Sequence, residues 1–217
     1  MLADPRLDRL VEFDEQSRNF PIRTLLEAKQ PRGYTWSCKT VLDQRNEGAC
    51  VGFSVAHEIA ARPKVSIANA ALAHRIYVRA RELDEWPGED YEGTSVLGGM
   101  KAALEAGYFG EYRWAFGLDD LVLALGYKGP AVLGVVWRRG MMEPDSAGYL
   151  HNHGDILGGH AILARGVSVK KQYVLLHNSW GPDWGNNGTA KVSFDDLEAL
   201  LDDDGEACIP VQRYVVK

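Results

Sequence analysis

The sequence predicts an α+β fold, or two unlike halves, with helices first and strands second. Three long helical patterns and a shorter one precede position 107, and four short apolar strand patterns and a closing strand follow position 130. The two kinds of element do not alternate, as they would in a parallel sheet joined by crossover helices. At 217 residues the chain is long enough to bury a substantial core.

The helices predicted for the first half have apolar residues that recur at helical spacing, and each is bounded by turn or cap residues. Ahead of them, residues 1–19 are charged and weakly patterned, although Leu7, Leu10 and Val11 suit a short amphipathic turn. The predicted helical ranges are 24–29, 50–61, 66–81 and 95–106.

The second half changes to short apolar runs that are typical of strands. Residues 138–158 between the first two runs form a long irregular loop rich in glycine, histidine and methionine. The predicted strands are 131–137, 159–167, 172–177, 189–193 and a closing strand over 209–216, with a short helix over 194–201.

Composition excludes several classes of function. The net charge of −6 disfavours a nucleic-acid partner, and no apolar run is long enough to predict a membrane span. The first residues lack the apolar core of a signal peptide, and three cysteines are too few for a disulfide framework. We therefore expect a cytoplasmic, reducing location, with no nucleic-acid or membrane partner, while the sequence leaves the oligomeric state open.

Cys50 is the first candidate for chemistry. It follows the turn-forming run 45–48 and begins the predicted helix 50–61, where the helix dipole favours a thiolate. Gln44, six positions earlier, is placed to aim an amide N–H at a developing oxyanion. By itself, however, Cys50 is best interpreted as a small buried apolar residue, as most free cysteines are.

Two later stretches change that interpretation. In the first, His160 enters an apolar strand directly after two glycines. In the second, Asn178 opens an Asn-Ser-Trp-Gly turn, and Trp184 follows in a glycine-rich loop. The two stretches thus supply a candidate base, His160, and a candidate amide, Asn178, to accompany Cys50.

On these four pieces, the chain resembles the papain-like cysteine peptidases from Phe20 to its C-terminus. The order and local context of Gln44, Cys50, His160 and Asn178 carry the resemblance, and the Asn-Ser-Trp-Gly block is its most specific part. The resemblance implies a two-lobed fold with the active site in the cleft. The implied parts are an N-terminal arm (1–19), a helical lobe carrying the nucleophile (20–115) and an antiparallel β-barrel-like lobe (116–217) whose last strand crosses back.

The resemblance also implies a role for each residue of the set. Cys50 would be the nucleophile and His160 its general base, later the acid that protonates the leaving amine. Asn178 would fix the imidazole, and Trp180 would shield that hydrogen bond and form the wall on the leaving-group side. Gln44 and the Cys50 backbone N–H would form the oxyanion hole. A thiolate–imidazolium ion pair is expected at neutral pH.

Substrate contacts follow from the same resemblance. Gly93 and Thr94 would pair with the substrate backbone, and Gly158 and Gly159 would leave a bare pocket wall. A looser alignment places Arg213 at the pocket floor, where it would favour an acidic substrate residue two positions before the cut.

The chain also departs from the family pattern. Glu47 and Val51 replace a cysteine and an aromatic residue beside the nucleophile, so one family disulfide is lost, although a Cys38–Cys208 bridge stays open. The interval from Cys50 to His160 is 110 residues (160 − 50), shorter than the ~130–150 typical of the family. Because only 19 residues precede the matching region in this sequence, we expect no long propeptide. We expect a compact bacterial or bacteriophage-type member.

Several other polar residues have ordinary explanations. His151 and His153 lack a third ligand at suitable spacing, so no metal or cofactor is expected. His57 lies two helical turns from Cys50, too far to be its base. The acidic runs 84–92 and 202–206 are expected to be solvated loops.

These residues predict a cysteine peptidase acting on polypeptides through a thioester. An amidase or transpeptidase on cell-wall or other specific peptides would use the same chemistry. A catalytically silent papain-fold binding module is a third alternative. The complete set of Gln44, Cys50, His160 and Asn178 favours an enzyme.

Overall fold

The computed structural model describes residues 4–12, 15–84 and 92–216. Two short 3-10 helices, over Ile22–Leu25 and Arg139–Met141, accompany the main elements. The helices are α1 (Glu15–Arg18), α2 (Cys50–Ala60), α3 (Ala70–Leu83), α4 (Val96–Glu105), α5 (Leu118–Tyr127) and α6 (Phe194–Asp202). The strands are β1 (Arg9–Leu10), β2 (Tyr34–Thr35), β3 (Thr94–Ser95), β4 (Phe109–Ala115), β5 (Ala131–Arg138), β6 (Tyr149–Leu150), β7 (Ile156–Ser168), β8 (Tyr173–His177), β9 (Thr189–Ser193) and β10 (Glu206–Arg213).

An eight-stranded sheet organises the molecule. Its order is β4-β10-β5-β7-β8-β9-β6, and β2 pairs with β7 off this path. All of its pairings are antiparallel except that of β6 with β9. The longest strand, β7, lies near the middle and receives β5 on one side and β8 on the other. Its central position makes it a rigid support for any residue that it carries.

Both faces of this sheet are buried, because side chains alternate along each strand. On β7, Ala161 and Leu163 join the apolar cluster built mainly from α2, α3 and α4. Ile162 and Ala164 on the same strand join a second cluster, which includes residues of α5 and α6. The α+β fold class predicted from the sequence is therefore confirmed.

Most predicted elements of the fold are present, several with shifted ends. Helix α2 begins at Cys50 and strand β9 has the predicted bounds. Helix α3 begins four residues later than predicted, because Asn69 caps it by accepting from the N–H of Leu72 at 3.0 Å. The predicted helix over 24–29 is instead a 3-10 turn at Ile22–Leu25.

The longest elements that were not predicted from the sequence are strand β4 and helix α5. Strand β4 falls within the range 20–115 assigned to the helical lobe, yet it pairs with β10 in the large sheet. The boundary between the lobes at 115/116 remains a prediction. Among the described residues, no helix combines the length and apolarity that crossing a membrane requires.

The N-terminal arm does not form the predicted amphipathic turn. Residues 9–10 form strand β1, which pairs in parallel with β3, and Asp8 forms an isolated parallel bridge with Gly159 of β7. Because β3 precedes helix α4 and Gly159 precedes His160, the arm runs between the two halves of the molecule.

Candidate active site

Cys50 occupies the first position of α2, next to the strand that carries His160. Its thiol is completely buried. The thiol lies within hydrogen-bonding reach of the main chains of Ala161 and Val51. Because Ala161 belongs to β7, this strand packs directly against the start of α2. Cys50 and the histidine strand are thus brought together, although 110 residues separate Cys50 from His160 (160 − 50).

His160 is held by Asn178, as the sequence predicted for the pair. The Nε2 atom of His160 lies 2.8 Å from Oδ1 of Asn178, and that oxygen also accepts from the Ser179 N–H at 2.8 Å. Because Oδ1 is an acceptor, Nε2 carries the proton. Nδ1 is buried, with no hydrogen-bond partner among the described residues. The rings of Trp137 and Trp180 pack 4.6 and 5.0 Å from the imidazole, centroid to centroid.

Gln44 is held in one orientation by neighbours on both sides of its amide. Oε1 accepts from the Ser179 hydroxyl at 2.6 Å, and Nε2 donates to the Glu47 carbonyl at 2.8 Å. The second donor direction of Nε2 reaches the carbonyl oxygen of Arg6 at 3.3 Å. The amide therefore presents an N–H to a carbonyl group in the cleft.

The cleft is filled by residues 4–12, which we call the cleft segment. The main chain of Asp8 contacts the Cys50 thiol, and the main chain of Arg6 contacts His160. The Arg6 guanidinium lies 4.1 Å from the centre of a Trp180 ring. The cleft segment is thus in contact with Cys50, His160, Gln44 and Trp180.

Three glycines make room for the main chain of the cleft segment. A Cβ atom added at Gly93, Gly158 or Gly159 would collide with the carbonyl oxygen of Asp8, Leu7 or Arg9, respectively. Thr94 lies beside them in β3, opposite Arg9, and its hydroxyl donates to buried Asp84. Gly93 and Thr94, predicted to pair with a substrate backbone, therefore do contact an extended backbone. Gly159, predicted to leave a pocket wall bare, contacts the same backbone.

Burial keeps both reactive groups neutral in this closed arrangement. It raises the pKa of Cys50 to about 11, although nearby main-chain groups oppose it. It lowers the pKa of His160 to about 4, against the opposing effect of the Asn178 hydrogen bond. Both shifts disfavour the thiolate–imidazolium pair expected from the sequence while the cleft segment is in place.

The prediction that Arg213 reaches the pocket floor is wrong. Its guanidinium donates to Glu58 Oε1 at 2.5 Å and to the carbonyl oxygens of Lys128 and Pro130 at 3.1 and 3.2 Å. It is therefore a buried structural residue that joins β10 to α2. The acidic preference inferred from it has no support.

The acidic runs also differ from the prediction at their ends. Asp84 is buried and accepts from the Ser95 N–H at 3.0 Å, while residues 85–91 lie outside the described part of the chain. Glu206 is buried and pairs with Arg9. The sequence offered one indication that Glu206 is buried, its position directly before the apolar run 207–209. Its partner Arg9 could not be found in this way, because it is 197 residues away in sequence.

The remaining histidines and cysteines do not extend the site. His57 is buried and accepts from the Leu42 N–H at 3.0 Å, with its ring 4.3 Å from that of His177. Cys38 and Cys208 are free thiols, so they do not form the bridge that the sequence left open. His151 pairs with Asp145, and the described residues contain no cluster of three metal-ligating side chains.

Comparison with known proteins agrees with this geometry. The model of the papain family cysteine protease matches residues 120–201, a stretch that contains His160 and Asn178 but not Cys50. Cathepsin B-like CP2 of Giardia intestinalis is 35% identical over 78 residues, which are 34% of this chain and 26% of the relative. Cathepsin B-like cysteine proteinase 3 of Ostertagia ostertagi is 33% identical over 99 residues, covering 44% of this chain and 57% of the relative.

Solved structures extend the similarity to the whole chain at the level of the fold. Xylellain, a cysteine protease from Xylella fastidiosa, superposes with a TM-score of 0.72, covering 99% of this chain and 98% of that one at 16% identity. The bromelain protease from Ananas comosus, in complex with the E64 inhibitor, gives a TM-score of 0.63 over 85% of this chain and 100% of that one, at 15% identity.

Together these matches confirm the resemblance to the papain-like cysteine peptidases, by sequence over 120–201 and by fold over the whole chain. The chain spans from about a quarter to just over half the length of the curated relatives described above.

Proposed function

We propose that this protein is a cysteine peptidase that hydrolyses polypeptides through a thioester on Cys50. The observation that carries the proposal is the buried hydrogen bond between His160 Nε2 and Asn178 Oδ1. It leaves Nδ1 as the basic atom of a ring that lies on the strand packed against the Cys50 thiol. A cysteine with an oriented histidine is the arrangement that nucleophilic catalysis requires.

Acylation follows from these positions. The Cys50 sulfur attacks the substrate carbonyl carbon as its proton passes to His160 Nδ1, and the carbonyl oxygen becomes an oxyanion. Gln44 Nε2 and the Cys50 backbone N–H donate to that oxyanion. When the carbon–nitrogen bond breaks, His160 gives its proton to the leaving amine, and the acyl group remains on sulfur as a thioester.

Water then completes hydrolysis. His160 removes a proton from water as the oxygen attacks the thioester carbon, and the carbon–sulfur bond breaks. The carboxylic acid leaves, and the sulfur recovers a proton from His160. Asn178 keeps the ring oriented in both halves of the reaction, and Trp180 restricts water around their hydrogen bond.

We further propose that the cleft segment must leave before substrate binds. The Arg6 carbonyl accepts from Gln44 Nε2 at 3.3 Å, which is the donor assigned to the oxyanion. Asp8 covers the thiol, and both reactive groups stay neutral behind it. Displacement of the segment would expose the thiol to water and to the helix dipole, which favour the thiolate.

The test is product mass spectrometry after incubation with a proteome-derived peptide library, with muropeptides in a parallel sample. The intact chain and a Cys38→Ala control should release new peptide termini, whereas Cys50→Ala should release none. Cleavage of muropeptides alone would favour the amidase alternative. If the intact chain gives no products in either sample, even after the cleft segment is loosened by Arg9→Gln, the peptidase proposal fails.

We also propose a reducing, cytoplasmic location and a compact bacterial or bacteriophage type. The three free thiols, Cys38, Cys50 and Cys208, support the location, since an oxidising compartment favours disulfides. Alkylation of the protein from rapidly quenched cells, after denaturation but without a reductant, should modify these cysteines as thiols. Recovery of oxidised forms would oppose the location.

A further inference from the structure

The side chain of Arg9 leaves the cleft segment and enters a closed pocket. Its guanidinium donates to Glu206 Oε1 from Nε at 3.1 Å and from Nη2 at 2.6 Å, and Nη2 also donates to the Asp204 carbonyl at 3.1 Å. The side chains of Arg9 and Glu206 are 0% and 2% exposed. The pocket thus encloses one complete basic side chain.

The pocket wall is shaped for a long side chain. A Cβ atom added at Gly134 of β5 would collide with Nε of Arg9. The main chain of Arg9 lies between Thr94, its partner in β3, and Gly159, whose missing side chain admits the Arg9 carbonyl. The pocket therefore opens from the part of the cleft that holds an extended backbone next to the proposed catalytic residues.

The charges around the pocket are acidic. Glu12 and Asp84 are near enough to Glu206 to raise its pKa further, in the same direction as burial, while Arg9 opposes them. Glu206 Oε2 is buried without a hydrogen-bond partner among the described residues. A buried carboxylate without a cation is costly, so the pocket is suited to a guanidinium or ammonium group.

We infer that Glu206 is a specificity-determining residue and that its pocket binds an arginine or lysine side chain of the polypeptide substrate. This inference rests on the proposed peptidase function. In the closed structure Arg9 occupies the pocket. After the cleft segment leaves, Glu206 loses its cation, and a basic substrate residue replaces it. An acidic or apolar side chain leaves the carboxylate unpaired and is disfavoured.

The first test does not require peptide hydrolysis, because the residue at position 9 of the cleft segment itself occupies the pocket. Iodoacetamide labelling of Cys50, read by peptide mass spectrometry, measures how often the segment leaves. Labelling should be slow in the intact chain and in Arg9→Lys, and faster by about tenfold to a hundredfold in Arg9→Gln, the loss expected for a hydrogen-bonded charge. Glu206→Gln should remove most of the difference between arginine and glutamine at position 9.

The second test uses the peptide library with the full-length chain. Cleaved peptides should share arginine or lysine at one fixed distance from the new terminus. Glu206→Gln should reduce that preference by about tenfold or more. Glu198→Gln, which removes an exposed carboxylate on α6, is the matched control and should retain the preference.

The outcomes separate the two proposals. Cleavage without a preferred basic position, or with a preference that survives Glu206→Gln, overturns the specificity inference and leaves the peptidase standing. No cleavage by any variant refutes the peptidase function, and the labelling series then decides alone whether the pocket selects a cation. Equal labelling of Arg9→Gln, Arg9→Lys and the intact chain overturns that selectivity.

Discussion

Two buried arginine–glutamate pairs of similar geometry have different places in this molecule. Arg213 and Glu58 join strand β10 to helix α2, and two further main-chain carbonyls accept from Arg213. Arg9 and Glu206 join the opposite end of β10 to a segment that ends 12 residues from the N-terminus. The first pair connects two core elements, whereas the second attaches a separable segment over the proposed active site.

The comparison shows that burial of an ion pair does not by itself identify its role. Burial raises the pKa of both glutamates, and the partner arginine opposes that effect in both cases. The difference lies in what happens when the pair separates. Glu58 would stay buried within the fold, whereas Glu206 would face an open cleft that water or a basic side chain can enter.

The largest effect is expected from Arg213→Ala. Because Glu58 would remain buried without a cation, the free energy of unfolding should fall by about 3–5 kcal/mol. Urea denaturation monitored by tryptophan fluorescence measures the change. A loss below about 1 kcal/mol would show that this pair does not hold the core together as we describe.

A smaller loss of stability is expected from Arg9→Ala. The cleft segment can detach locally while the core stays folded, so the free energy of unfolding should change by no more than about 2 kcal/mol. Trypsin should cut at Arg6 faster than in the intact chain, and Arg9→Lys should restore protection. Global unfolding comparable to that of Arg213→Ala would make the two pairs equivalent.

The pH dependence of Cys50 labelling sharpens the comparison further. Labelling requires the cleft segment to leave, because the Cys50 thiol is fully buried in the closed state. Burial raises the pKa of that thiol to about 11, so the closed state loses stability relative to the open state as the pH rises toward that value. The intact chain and Arg213→Lys should therefore show a steep rise in labelling rate between pH 7 and 10. Arg9→Gln should label readily at pH 7 with a shallower profile, and identical profiles in all three would contradict the closed cleft.

The smallest effect is expected at Ser179, whose hydroxyl only orients the Gln44 amide. Ser179→Ala leaves Gln44 Oε1 without its 2.6 Å hydrogen bond. Peptide hydrolysis should slow by about tenfold, through the turnover rate rather than substrate affinity, because Gln44 acts on the oxyanion. Steady-state kinetics on one peptide separate the two parameters. An effect confined to affinity would place Gln44 outside the oxyanion hole.

Local sequence patterns predicted the elements that carry the proposed catalytic residues. Cys50 begins a helix because a turn precedes an apolar run at helical spacing, and His160 lies within a continuous apolar strand. Strand β4 was missed because the run Gly110-Glu111-Tyr112-Arg113 reads as polar, although its pairing with β10 stabilises it. The periodicity of apolar residues reflects local burial. It does not reveal a polar strand such as β4, which is stabilised by pairing with a distant strand.

The contents of the cleft could not be predicted for a related reason. Arg9 and Glu206 are 197 residues apart in sequence, and no sequence motif around either residue indicates that the two form a pair. Arg213 was misplaced because an alignment by position cannot show that Glu58, 155 residues away, holds its guanidinium elsewhere. Pairing of charges across the chain depends on the folded arrangement of β10 and on which side each residue faces.

The most direct test of the account measures hydrolysis of one arginine-containing peptide by the intact chain, Arg9→Gln and the double variant Arg9→Gln/Cys50→Ala. If the cleft segment covers a working nucleophile, Arg9→Gln should turn over faster than the intact chain, and the double variant should be inactive. Hydrolysis that persists without Cys50, or an Arg9→Gln variant that exposes Cys50 to iodoacetamide yet cleaves nothing, would contradict it.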